Sequence, residues 1–201
     1  MASRDWLVTN DGQYEVWEGS VSDAELSTSP YRLYRFLTDL EDILLNSTDN
    51  RRRLQAIYPI VRRLLNSSEW LQGEYLEPDP ETGWSVLMLY DEPDFPLTVQ
   101  TVVWLPSKVS PLHNHATWGV VALISGQEKN TFWRRTDNNG RIEQVGELIL
   151  NPGEIIGLMP DAIHSVEALG DEPTVSFNLY GETNYEQRFE FDAVNCTAKN
   201  F

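Results

Sequence analysis

The sequence predicts a mainly β protein, an antiparallel sandwich or barrel of short strands preceded by α-helices. Two observations carry this expectation. After about Gly73 the chain falls into short segments rich in Val, Leu and aromatic residues and bounded by Pro, Gly, Asp or Asn. Before it, apolar residues recur at helical spacing.

In chain order, residues 1–29 are mixed and polar and carry no clear period. From Pro30 the apolar set Leu33, Phe36, Leu37, Leu40, Ile43 and Leu44 lies on one helical face, with Ser29 as N-cap and Pro30 at the first helical position. The polar run Asn46 to Asn50 breaks the pattern. A second amphipathic helix follows with Leu54, Ile57, Tyr58, Val61, Leu64 and Leu65 inward and its arginines on the other face. Strands are expected at Trp84 to Tyr90, Leu97 to Leu105, Gly119 to Ile124 and Thr174 to Tyr180, with a hairpin turn at Asp137–Asn138–Asn139–Gly140, whose Asn and Gly tolerate positive φ. With no repeat and no low-complexity linker, residues 1–72 form an N-terminal helical segment packed on a barrel of residues 73–201, one structural domain overall.

The chain of 201 residues is long enough for one core, and its 23% charged fraction is that of a folded protein. Its 31 acidic against 15 basic residues leave a formal net charge of −16. A surface that negative repels nucleic-acid backbones and anionic lipid headgroups, so the expected partners are a small-molecule substrate and O2 rather than nucleic acid or membrane. The start MASRDWLVTN lacks the features of a secretory signal, and Cys196 is the one cysteine. A reduced, cytoplasmic setting is expected.

The chemistry centres on Pro111–Leu112–His113–Asn114–His115. In extended backbone, residues two apart face the same side, so both imidazoles can enter a barrel and clamp Fe, Zn, Cu or Ni. Pro160–Asp161–Ala162–Ile163–His164 supplies the third and last histidine of the chain. His113, His115 and His164 are the expected metal ligands.

These segments resemble the two motifs of the cupin superfamily, G-x5-H-x-H-x(3,4)-E-x6-G and G-x5-P-x-G-x2-H-x3-N, over roughly residues 73 to 190. His113, His115 and Gly126 fit the first motif, while Ser107 stands at its first glycine. In the second, Pro160 is four residues before His164 rather than five, Ala162 replaces the glycine and Ala168 the Asn. The resemblance implies a cupin double-stranded β-helix, or jelly-roll, barrel with N-terminal helices. The family's glutamate ligand falls at Gly119, so a fourth protein ligand is missing unless Glu128 or Glu154 supplies it. Three neutral histidines leave open coordination positions and full positive charge, which suits Fe(II), with Zn or Ni as alternatives in protein as purified.

Within cupins, Pro-Leu-His-Asn-His-Ala-Thr-Trp-Gly is similar to the cysteine dioxygenase branch, including members that oxidise 3-mercaptopropionate. That likeness implies a three-histidine Fe(II) oxidoreductase converting a small thiol to its sulfinate with O2. The branch's Ser-x-His-x-Tyr relay reads Ser176–Phe177–Asn178–Leu179–Tyr180 here, so Ser176, Asn178 and Tyr180 become the catalytic candidates, with Asn in place of His. The branch's substrate-binding Tyr-x-Arg run aligns with Trp84–Ser85–Val86, which has no arginine, and Val120 precludes the Cys–Tyr crosslink of some members. Arg188 is the expected replacement carboxylate partner, and Trp118 a further substrate contact; Arg134 and Arg135 are weaker candidates. Rival functions are a three-histidine cupin dioxygenase that cleaves C–C bonds and a non-catalytic metal- or ligand-binding cupin.

Overall fold

In the computed structural model, which describes residues 4–17, 30–73, 75–136 and 141–200, the expected strands form close to their expected bounds. They are β3 (Trp84–Tyr90), β4 (Thr98–Trp104), β6 (Gly119–Ser125) and β11 (Thr174–Tyr180). The others are β1 (Asp5–Val8), β2 (Tyr14–Val16), β5 (Leu112–His113), β7 (Gln127–Arg135), β8 (Ile142–Leu150), β9 (Ile155–Leu158), β10 (Ile163–Leu169), β12 (Phe189–Asp192) and β13 (Thr197–Asn200). One sheet runs β2-β1-β9-β6-β11-β4-β3 and the other β13-β12-β5-β10-β7-β8. The two close face to face as a jelly-roll barrel, antiparallel throughout except where β1 joins β9 in parallel.

The expected helices are α1 (Leu33–Asn46) and α2 (Asn50–Ser67), followed by a short α3 (Glu69–Gly73). The Asp49 carboxylate caps α2 by accepting from the Arg52 amide at 2.8 Å. Arg32, with no side-chain cap, precedes α1, and the expected cap Ser29 lies outside the described residues. So does the turn at 137–140, although β7 and β8 pair as the expected hairpin.

Strand β11 shows why the barrel has two interiors. Its seven residues are nearly all buried, because both faces are covered. Phe177 and Leu179, with Val120 and Ala122 of β6, face outward against Phe36, Leu40, Leu54, Ile57 and Val61 of the helices. Ser176, Asn178 and Tyr180 have the opposite parity and face into the barrel. Each fully buried Leu or Phe in the helix-facing layer contributes about 1.5–3 kcal/mol.

Two features depart from the sequence reading. Residues 5–16, which show no period, include strands that extend the first sheet; a strand of four residues is too short to display alternation. The arginines of α2 are not all on the solvent face. Arg62 is buried and spans from α2 to the carboxylate of Asp5 on β1 and the carbonyl of Gly153 in the turn before β9.

Candidate metal centre and cavity

His113 ends β5, and His115 follows it in the next loop. Between them Asn114 turns away and is pinned, donating to the Gln187 carbonyl at 2.9 Å and accepting from the Phe189 amide at 2.8 Å. With Asn114 held outside, both flanking imidazoles are aimed into the barrel, their centroids 4.7 Å apart. His164, on β10, is the direct cross-strand partner of His113. One donor nitrogen from each of the three lies within 4.8 Å of the others.

The donor chemistry fits a divalent transition metal. His113 Nδ1–H donates to the Pro111 carbonyl at 2.9 Å, and His164 Nδ1–H donates to Asn130 Oδ1 at 3.0 Å, so each Nε2 keeps its lone pair. His115 Nε2 and His164 Nε2 are 3.0 Å apart. Two nitrogens each about 2.1 Å from a shared ion, at right angles, have this separation. Burial is the main cause that lowers all three histidines below the ordinary value, His115 and His164 well below it, with charge repulsion from His113 adding to it at both. Neutral imidazoles clustered in this way are ready ligands.

Tyr180 lies parallel on His115, with ring centroids 4.3 Å apart and planes at 16°. Gly119 makes that possible. A Cβ at position 119 would sit 2.7 Å from Tyr180 Cδ1 and 2.8 Å from Cε1. The residue at the usual glutamate position is therefore glycine because the Tyr180 ring fills the space a side chain would need. The Tyr180 hydroxyl donates to Asn178 Oδ1 at 2.9 Å, and Asn178 Nδ2 donates to Ser176 Oγ at 3.0 Å. Ser107, at the motif's first glycine, adopts the left-handed backbone that glycine would favour, with φ of 64°.

The histidines open onto a cavity of about 520 Å³ between the sheets, also lined by Arg188, Val86, Asn130, Glu128, Ser176 and Asn178. The positive charge of Arg188 reaches His113, His115 and Tyr180. Trp118, expected at the substrate, instead packs in the helix-facing core; it has the parity of Val120 and Ala122, whereas Gly119 and Val121 face the barrel. Arg134 pairs with Glu143 at the surface, and Arg135 covers Phe189 and Phe191. Glu154 accepts from Asn151 in a surface turn, and among the described residues neither it nor Glu128 joins the histidine cluster.

From sequence Glu128 is a candidate only as a fourth ligand; the fold gives it a different setting. It is 1% exposed, it lines the cavity, and its carboxylate accepts from the Thr174 hydroxyl at 3.1 Å. Burial raises it from 4.5 to about 7, with the Thr174 and Ser176 hydroxyls opposing. Between these two values the folded chain holds a proton that the unfolded chain has released. Stability is therefore fully present below the unfolded value and falls as pH rises through about 7, by about 3 kcal/mol in all. The expected outcome in urea unfolding is that wild type loses stability relative to Glu128→Gln between about pH 4 and about pH 8. A difference between the two that stays flat across this range would show that Glu128 titrates as a surface acid.

No protein-family model matches the chain. Among solved structures, recombinant oxalate oxidase in complex with glycolate aligns at 12% identity and a TM-score of 0.44, over 56% of this chain and 57% of that one. The chain thus spans little more than half of that neighbour. The cupin_2 domain of an XRE-family transcriptional regulator from Enterobacter cloacae aligns at 15% identity and a TM-score of 0.39, over 51% of this chain and 99% of the other. A cupin 2 conserved barrel domain protein from Salinispora arenicola aligns at 17% identity and a TM-score of 0.41, over 54% and 82%. No helix among the described residues is long and apolar enough to cross a membrane.

Proposed function

We propose that this chain is a non-haem Fe(II) oxidoreductase of the three-histidine cupin type that converts a small thiol to its sulfinate with O2. The observation that carries the reading is the cluster of three neutral imidazoles, His115 and His164 buried and His113 half-buried, with donor atoms within 4.8 Å and no carboxylate among them. His113, His115 and His164 would hold the ion, which when bound would supply the Lewis acidity and redox chemistry that bring a thiol and dioxygen to reaction. The reaction balances as RSH + O2 giving RSO2H, both oxygen atoms ending on sulfur.

The chain's own residues orient and enclose the reactants. The Tyr180 hydroxyl donates its hydrogen bond to Asn178 Oδ1, so the Tyr180 oxygen presents its lone pairs to a donor on the substrate. Arg188 offers charge to an anionic group near the histidines. Val86 gives no such partner, and a buried carboxylate facing it would cost a few kcal/mol. Cysteine is therefore a poorer substrate than thiols that lack the α-carboxylate or that reach Arg188.

The test is oxygen uptake with cysteine, 3-mercaptopropionate and cysteamine at matched concentration, with sulfinate identified as product. Tyr180→Phe is expected to lower turnover about 10- to 100-fold while metal content is retained. Efficient turnover of cysteine alone would show another carboxylate clamp, and the absence of thiol-dependent uptake in the iron-loaded protein would end the thiol reading. A second reading, a C–C-cleaving dioxygenase with a larger substrate, is favoured by the cavity volume of about 520 Å³, which exceeds what a three-carbon thiol fills. Oxygen uptake with dicarbonyl or catechol-like compounds in the absence of thiol distinguishes it.

A further inference from the structure

The cavity is polar at both ends. On β10, His164 pairs across to Phe132 of β7, and four residues along the same strand Glu128 pairs with Ala168. Strand β11 repeats the offset, with Tyr180 at the histidine end and Ser176 at the Glu128 end. Four residues of strand span about 13 Å. Between the poles Val102, Val121 and Val166 line the wall.

Among the described residues the groups that meet Glu128 at the far end are the uncharged hydroxyls of Thr174 and Ser176, and the cavity's own cations, Lys108 and Arg188, are not among them. A carboxylate withdrawn from water in this way needs a cation or a proton. Midway, Asn130 lines the cavity, 2% exposed, with Oδ1 committed to His164 and Nδ2 buried without a hydrogen-bond partner. The net charge of −16 favours the approach of cations over anions.

We propose that this cavity binds an elongated small molecule whose protonated amine pairs with Glu128, at the end of the cavity away from the histidines. An oxygen acceptor partway along such a molecule meets Asn130 Nδ2. This names the substrate class for the proposed oxidoreductase and rests on that reading only for calling the ligand a substrate. The ion pair itself requires no metal chemistry. It also accounts for the length of the cavity, since a ligand joining the two poles is longer than cysteine or 3-mercaptopropionate.

The experiment measures binding rather than turnover, so it stands or falls separately from the oxygenase reading. The 201-residue chain is titrated calorimetrically at neutral pH with n-butylammonium, 1-butanol and butyrate. The expected result is that butyrate, drawn to Arg188, binds independently of Glu128, and that the ammonium binds at least about 10-fold more tightly than the alcohol, a 1.4 kcal/mol difference. In Glu128→Gln, which keeps the side chain's shape, that preference disappears. The proposal is overturned if the ammonium binds no better than the alcohol. It is also overturned if Glu128→Gln retains the preference, because an amine held at the metal would be indifferent to that change. An amine preference without thiol-dependent oxygen uptake would keep this inference and remove the proposed function; the reverse result would do the opposite.

Discussion

His164→Ala strips the metal from the purified protein while the barrel stays folded. Wild type is expected to carry about one divalent transition metal per chain, iron when prepared freshly under reducing conditions. The substitution removes one of three donors and leaves His113 and His115, a bidentate pair on a turn. Changes to groups behind a ligand typically cost 10–100-fold in affinity, so loss of a ligand costs more than about 100-fold and metal content falls below about a tenth per chain. The barrel survives because His164 packs in the cavity wall and not in the helix-facing core, which holds Phe36, Leu54 and Phe177. The check is elemental analysis alongside thermal unfolding. Stoichiometric metal in a folded His164→Ala protein would remove His164 from the ligand set.

Arg62→Ala is expected to destabilise the fold by about 3–5 kcal/mol, the usual cost of breaking a buried ion pair from one side. Arg62 is 4% exposed and Asp5 1% exposed, so removing the guanidinium leaves a carboxyl with neither water nor a cation. Burial already raises Asp5 above the ordinary carboxylate range, with Arg62 pulling it back. Arg62 also donates to the Gly153 carbonyl, so the loss loosens α2 from both β1 and the turn before β9. Urea unfolding of the single variants and of Asp5→Ala/Arg62→Ala checks this. The double variant should lose less than the sum of the singles, because each single strands the other's charge or dipole. Additive losses would mean that the two groups do not form a pair.

Much of the architecture was legible in the residues. Helical spacing gave α1 and α2, because an amphipathic face longer than three turns repeats often enough to be read. Alternation and turn residues placed β3, β4, β6 and β11, four strands of one of the two sheets that enclose the cavity. The three histidines were visible as an H-x-H pair and a lone third residue, and three histidines in the whole chain leave little else for them to be. Strands β1 and β2 were not visible, since so short a segment is defined by the strand it pairs with and not by its own pattern.

What the sequence by itself determined is parity and composition: which residues share a face, which residue types could ligate a metal, and where a glutamate was absent. Tertiary structure decided what those faces meet. Gly119 reads in sequence as a lost ligand, yet in the fold it is the gap that Tyr180 occupies in order to lie on His115. Trp118 reads as an aromatic beside the metal motif, but one residue of strand turns it to the opposite face, under the helices. Arg62 reads as one of several surface arginines until Asp5, 57 positions earlier, is brought against it. Glu128 reads as a candidate fourth ligand, and only the closing of the two sheets removes its water and makes it a pole of the cavity. The reason is common to all four: burial, partner and local field are properties of contacts between segments far apart in the chain, and local sequence pattern carries no record of them.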